Sequence, residues 1–430
     1  MTWLDVMGLT EDGLDGLTRD QLARVRGAGL VIGPDRVRDA VTALDGFGGS
    51  AEAWPVPFLD IIPRLQSRRG EAVVILATGD PLWYGAASTL VRYFNAEEMR
   101  ITPAPSGFQW AASRMGWPLH TTRTLTVHGR PHETVLKYLA PSARLLVLAH
   151  DRQSPHKLAR LLLAAGYGAA QITALGHIGG GQESAHAAPA QDWVSPPHDA
   201  PDLHVPDFHV IAIACPDAVE GFLPLTPGLP DEAFQSDGKL TKAETRAASL
   251  AKLKPQDGGM LWDLGCGSGA IGIEWMRAGV NARAIGVDHR DDRLQVARGN
   301  ADRLGTPEWQ GMKRDLSHAL DDKALDDKGL DDLPDPDAVF IGGGLTVALA
   351  ELAFKRLKPG GRLVANAVTL ESEAVLLALW QAHGGELTRI AVSRAEPVGP
   401  LHGWRPLMPV TQWALEKPRA AQGEGGEDRS

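Results

Sequence analysis

Cysteine is almost missing from this 430-residue chain, which holds only Cys215 and Cys266. The two are far apart, and neither has a second cysteine or a histidine at metal-ligand spacing. A zinc module and a disulfide framework are therefore excluded, and a reducing, cytoplasmic setting is favoured. Positive charge is also in short supply: 43 Lys and Arg stand against 53 Asp and Glu, a net charge of -10. Because a duplex binder normally carries a basic face, the balance argues against nucleic acid as a partner. No apolar run approaches the roughly 18 residues needed to span a bilayer. The opening MTWLDVMGLTEDGLDG is acidic where a secretory signal is basic. These absences together predict a soluble cytoplasmic protein with no membrane partner.

What remains is globular. Hydrophobic residues make up 43% and charged residues 22%, and at roughly 100 to 200 residues per domain the length predicts two or three domains. Apolar runs at 4–9, 29–33, 72–78 and 144–150 alternate with amphipathic stretches, the pattern of an α/β fold. Thr18 and Gln21 form a capping-box pair before a helix. Another helix starts at Ser154 with Pro155 in its first turn and stops at Gly166. Between Pro216 and Gly238 prolines and glycines break the pattern, and α/β alternation restarts with apolar runs at 259–265, 282–289, 337–344 and 362–368. The expected division is a domain over 1–222, a linker over 223–237, a second domain over 238–417 and a disordered tail over 418–430. The Leu-Asp-Asp repeats of 318–332 are expected to form a solvated loop or frayed helix.

The strongest chemical signal is DLGCGSG, Asp263 to Gly269, between an apolar strand and a helix beginning near Ala270. Gly265, Gly267 and Gly269 permit positive φ and close approach of backbone to ligand, and the helix start offers free N–H groups. Cys266 and Ser268 complete the turn; Cys266 is expected to be a small turn residue, with a nucleophilic role as the alternative. About twenty residues on, a strand ends at Asp288, placed to accept both ribose hydroxyls, and the next is expected to end near Asp315 and Leu316, beside an adenine. Glycines spaced GxGxG after an acid, rather than GxGxxG, point to S-adenosylmethionine and away from NAD. Upstream, Thr241 and Glu244 have capping-box spacing at a helix start that is also expected to cover the cofactor. Gly342, Gly343 and Gly344 end a strand without the polar clamp of an amine methyltransferase. They either leave room for a broad, flat substrate or only close a tight loop.

LTKAETRA, LWDLGCGSGAIGIEW, DAVFIGGG, LKPGGRLVANAVTLESEA and VSRAEPVGPLHGWRPLMPVTQW together resemble the C-terminal half of the decarboxylating precorrin C(5,15)-methyltransferase family of aerobic cobalamin synthesis, over about 180 residues. The first half, with VMGLTEDGLDGLT, ATGDPLWYGAASTLVRYF, PAPSGFQWAASRMGWP and LAHDRQSPHKLARLLLAAGY in order, is similar to the tetrapyrrole methylases in their precorrin carbon-5 branch. The resemblance implies an N-terminal tetrapyrrole methylase α/β domain and a C-terminal Rossmann-like methyltransferase domain. It places Gly79, Asp80 and Pro81 at a strand end against the cofactor, where the residues alone also allow an ordinary turn. Two departures stand out: the opening loop lacks a glycine-proline-glycine run, and Pro105 replaces a glycine usual in relatives. The implied activity is transfer of methyl groups from S-adenosylmethionine to carbons 5 and 15 of a reduced precorrin, with loss of carbon dioxide from the ring C acetate. The N-terminal domain would serve carbon 5, and the C-terminal domain carbon 15 and the decarboxylation. A homo-oligomer is implied by resemblance alone.

A precorrin bears many carboxylates, so an acidic protein must gather positive charge locally. Arg394 and Arg405 are expected to anchor those carboxylates, with Trp404 as a ring-stacking wall beside His402; ordinary surface ion pairs are the alternative. Asn366 and Glu371 follow a strand near the cofactor edge, and either is a candidate to orient the acetate or a proton-transferring water. The rival functions are an RNA methyltransferase, disfavoured by the missing basic appendage, and a regulatory protein that binds S-adenosylmethionine only as a signal.

Overall fold

The computed structural model describes residues 2–195, 205–316 and 330–419. They form two compact units, one of 2–132 with 140–195 and 205–221, the other of 133–139 with 222–316 and 330–419.

The first unit contains two five-stranded sheets. One comprises β1 (Leu4–Leu9), β2 (Leu30–Gly33), β3 (Ser50–Ala53), β4 (Val73–Thr78) and β5 (Met99–Thr102), all parallel, in the order β3-β2-β4-β1-β5. Its central strands are continuous apolar runs because both faces are covered: Leu4, Val6 and Ile75 pack on one side, Met7, Leu9 and Leu76 on the other. The second sheet comprises β6 (Arg123–Thr126), β7 (Arg144–Leu148), β8 (Gln171–Gly176), β9 (Ser184–Pro189) and β10 (His209–Ala214), in the order β6-β7-β10-β8-β9. Only its β6 and β7 are parallel. The helix Arg19–Arg26 opens with the Thr18–Gln21 capping box expected from sequence, and Ser154–Ala164 carries Pro155 in its first turn.

The second unit is built on one seven-stranded sheet. Its strands are β11 (Met260–Leu264), β12 (Arg283–Asp288), β13 (Gln310–Lys313), β14 (Ala338–Ile341), β15 (Arg362–Ala367), β16 (Glu386–Ile390) and β19 (Val410–Glu416). The order is β13-β12-β11-β14-β15-β19-β16; β11 to β15 are parallel and β19 runs against both neighbours. Strand order reverses between β11 and β14, and such a switch point leaves an open crevice at the carboxyl ends of the strands. Leu261, Ile273, Trp275 and Phe340 fill one face of the sheet, and Trp262, Leu264, Leu349 and Trp413 the other. β17 (Ser393–Val398) and β18 (Leu401–Pro406) form a separate antiparallel ribbon.

Three expectations need correction. The presumed linker packs into the second unit: Leu229 and Phe234 join its core and 231–233 makes a 3-10 turn. Glu274 holds this segment by accepting the Gly228 and Leu229 N–H groups at 2.5 and 3.1 Å, so its proline and glycine content marks tight packing rather than freedom. The segment 133–139 also belongs to the second unit, where Lys137 donates to the Met276 carbonyl at 3.0 Å. Finally, Thr241 caps nothing. The helix Ala243–Leu253 begins after Lys242 without a side-chain cap. Asp231 takes the Ala243 N–H instead, at 3.0 Å, and Glu244 turns outward to Arg394. Of the 318–332 repeats, Leu330–Asp332 forms a 3-10 turn with Leu330 buried; 318–329 and, within the expected tail, 420–430 lie outside the described residues.

Candidate active site

The segment Asp263 to Gly269 leaves β11 at the switch point. Gly265, Gly267 and Gly269 all have positive φ, at 73°, 53° and 78°. At Gly265 a Cβ would stand 2.6 Å from the Gly343 nitrogen, so this turn and the loop after β14 meet backbone to backbone. At Gly267 a Cβ would meet nothing within 4 Å, so this side of the turn is open. The helix Ala270–Ala278 then presents its first N–H groups.

Asp263, only 1% exposed, accepts the Gly272 N–H at 3.0 Å and braces the turn from beneath. Burial pushes its carboxyl up to about 7; the Gly272 bond pulls it back, and the nearby charge of Asp288 adds to the rise. Asp288, buried at the end of β12, accepts the Gly267 and Arg290 N–H groups at 3.1 and 3.0 Å, one on each oxygen. A carboxylate offers about four lone-pair sites, so acceptor capacity remains for a diol. Burial holds the Cys266 thiol far above its ordinary pKa, which removes the thiolate a nucleophile needs and leaves the turn-residue role. Ser268 is buried, and its carbonyl receives the Asn300 side chain at 2.9 Å. β13 ends at Lys313, two residues before Asp315, and Leu316 is buried beyond it.

The remaining candidates fall into separate surroundings. Gly342 donates to the Leu264 carbonyl at 2.9 Å, and Gly344 has a φ of 69°. Asn366, at the end of β15, is held from behind: it donates to Ser249 Oγ at 2.9 Å and accepts from Gln412 at 3.0 Å. Glu371 is exposed in the first turn of the helix Leu370–His383. Arg394 is engaged by carboxylates of its own chain, Glu244 at 2.7 Å and Asp231 at 3.0 Å, and these bonds hold its guanidinium well above its ordinary pKa. Arg405 lies opposite it across the β17–β18 ribbon and pairs with Glu396 at 2.9 Å. Both arginines thus make the ion pairs that were the alternative to carboxylate anchoring. Trp404 is 78% exposed on the same ribbon.

Sequence reasoning missed the scaffold behind these groups. Arg246 and Glu274, both fully buried, pair at 2.5 Å, and Arg246 also donates to the Thr241 and Leu229 carbonyls. The available signal was Glu274 itself, a lone acid within the otherwise apolar AIGIEW.

The first unit repeats the principle of backbone contact between strand ends. A Cβ on Gly8, in β1, would overlap the Gly79 carbonyl oxygen and the Ala104 nitrogen, and one on Gly79 (φ 69°) would stand 2.9 Å from Ser106 Cα. Asp80 accepts the Leu82 N–H at 2.9 Å, and Pro81 begins the turn that follows. A cavity of about 1000 Å³ reaches Thr78, the last residue of β4. Within it Arg36 donates to Glu11 at 2.7 Å and to Thr78 at 3.1 Å.

Comparison with known proteins gives matching results for both halves. Residues 8–190 match the family model described as Tetrapyrrole (Corrin/Porphyrin) Methylases, and 232–417 match that of a Precorrin methyltransferase domain. The chain is 39% identical over 416 residues, 96% of each chain, to a precorrin-6Y C(5,15)-methyltransferase [decarboxylating] of a Sinorhizobium species. It is 35% identical over 420 residues, 96% of this chain and 99% of the other, to the enzyme of that name from Mycobacterium tuberculosis. A solved C-terminal domain of precorrin-6Y C5,15-methyltransferase from Rhodobacter capsulatus is 42% identical, with a TM-score of 0.41, covering 45% of this chain and all of that one.

Proposed function

The chain belongs to the precorrin-6Y C(5,15)-methyltransferase (decarboxylating) family, and from that footing we propose that its two units divide the chemistry between them. The protein is a decarboxylating C-methyltransferase of cobalamin synthesis. The first unit serves carbon 5 of the precorrin and the second serves carbon 15 and the ring C decarboxylation. The observation that carries this reading is the pair of glycine-built strand edges, Gly8 against Gly79 and Gly265 against Gly343, one in each unit.

S-Adenosylmethionine would supply a methyl group on a positively charged sulfonium. In the second unit the 265–269 turn fits it, with an open backbone at Gly267 and an acid at the next strand end. Asp288 would hold the ribose diol. Gly342, Gly343 and Gly344 leave the opposite wall without side chains, as a flat macrocycle needs. In the first unit Gly79, Asp80 and Pro81 would play the corresponding part beside the cavity at Thr78. A conjugated meso carbon is already nucleophilic, so these residues align the reactants and exclude water, and supply little covalent help.

Asn366 is the better candidate of the two polar residues on β15 and beyond, since Ser249 and Gln412 fix its amide while Glu371 faces solvent. Arg394 and Arg405 would act on a carboxylate only by exchanging it for their present partners. A cytoplasmic homo-oligomer fits the resemblance, and among the described residues no helix is long and apolar enough to cross a membrane.

The test is donor stoichiometry. Titrating the full chain with S-adenosylmethionine should give two sites per chain, and Asp288→Ala should leave one while keeping a cooperative melt. Two sites in the variant would remove Asp288 from the donor site and with it the reading of the second unit.

A further inference from the structure

Beyond the donor edges, the first unit carries an exposed rim that none of the chemistry above uses. β6 and β7 end at Thr126 and Leu148, and the residues that follow bring the His128 and His150 rings to 5.6 Å, with the Gly129 N–H donating to His150 Nδ1 at 3.4 Å. Next in the chain is Arg130, whose guanidinium carbon stands 5.6 Å from the centre of the Tyr84 ring. Several exposed arginines of this unit are held by carboxylates, among them Arg36 by Glu11, Arg114 by Glu183 and Arg152 by Asp207. Arg130 makes no ion pair among the described residues; an aromatic face holds it instead. A guanidinium held over an aromatic ring, with no carboxylate of its own, keeps N–H groups available, and these match a carboxylate two at a time.

Tyr84 is built to hold that position. Its φ of 57° is a left-handed conformation that residues with a Cβ rarely adopt. Its hydroxyl donates to the Thr124 carbonyl at 3.2 Å, and its ring stands edge-on to the buried Phe108 at 6.0 Å. It lies four residues after Asp80 on the same loop. That loop curls tightly enough that a Cβ on Gly85 would meet the Pro81 and Asp80 carbonyl oxygens at 2.7 and 2.8 Å.

We propose that this rim binds a side-chain carboxylate of the macrocycle, with Arg130 as the charged contact, His128 and His150 as flanking hydrogen-bonding groups, and Tyr84 as the positioning residue. The proposal rests on the first unit being the carbon 5 site. Because Tyr84 and the Gly79–Pro81 turn share one loop, a carboxylate seated on Arg130 fixes how the macrocycle lies relative to the methyl donor.

The experiment is steady-state kinetics of the full chain, reading the carbon 5 methylated product by mass spectrometry while precorrin-6Y and S-adenosylmethionine are varied in turn. Arg130→Ala is expected to raise KM for the macrocycle about tenfold with KM for the donor unchanged, and Arg130→Lys to recover part of the loss. Tyr84→Phe keeps the ring but loses the bond to the Thr124 carbonyl, and should raise the macrocycle KM less than Tyr84→Ala does. Tyr84→Ala should raise the macrocycle KM, and combining it with Arg130→Ala should add nothing further. An unchanged macrocycle KM in a folded Arg130→Ala protein, or an equal rise for both substrates, overturns the subsite and leaves the carbon 5 assignment standing. A parent protein that methylates no carbon 5 overturns both.

Discussion

Asp263 sits beneath the glycine turn with its carboxyl pushed up to about 7. A carboxyl whose pKa is higher folded than unfolded binds a proton that the unfolded chain has already released. Its contribution to stability is therefore complete below about pH 4 and is lost as pH rises toward about 7, with a limiting slope of about 1.4 kcal/mol per pH unit. Asparagine keeps the acceptor for the Gly272 N–H and has no proton to lose. Melting curves of the parent and Asp263→Asn across this window should show the variant gaining relative stability as pH increases. Parallel curves would mean that Asp263 titrates normally.

At the scale of elements, the two strand-end turns depend on backbone approaching backbone. Gly265→Ala would combine an unfavourable φ of 73° with a Cβ 2.6 Å from the Gly343 nitrogen, at a cost of about 1–3 kcal/mol. The expected result is a lower melting temperature and loss of carbon 15 methylation and decarboxylation, with carbon 5 methylation retained; equal loss at both carbons would contradict the division of labour. This turn was legible in the sequence because three glycines after an acid, between an apolar run and a helix, have few other uses. The α/β alternation was legible for the same local reason, and its apolar runs became β1, β2, β4, β7, β11, β12, β14 and β15. Pairing over long sequence distances was not. Thr241 and Glu244 carry a capping-box spacing, yet Asp231 and Arg394 take up the groups that such a box would use. Ser249 and Gln412 lie 163 residues apart and meet only through the fold, and no local pattern joins Arg130 to Tyr84. The proline-rich stretch over 223–237 reads as a linker because composition does not reveal that Glu274 binds its backbone within the second unit.

The whole molecule joins a tetrapyrrole methylase unit and a precorrin methyltransferase unit in one polypeptide. The segment 133–139 belongs to the second unit, so cutting the chain after Cys215 would remove part of that unit as well as separating the halves. Point substitutions at Gly265, Asp288 and Arg130 are the cleaner way to assign each reaction. The net charge of -10 also makes local placement of arginine decisive for a polycarboxylate substrate, and most arginines at the described sites are already paired with acids. The most direct measurement is mass spectrometry of the product after the full chain acts on precorrin-6Y with donor carrying a deuterated methyl group. Two labelled methyl groups and the loss of one carboxyl as carbon dioxide are predicted; a product with one labelled methyl, or with both but no carboxyl lost, would contradict the account.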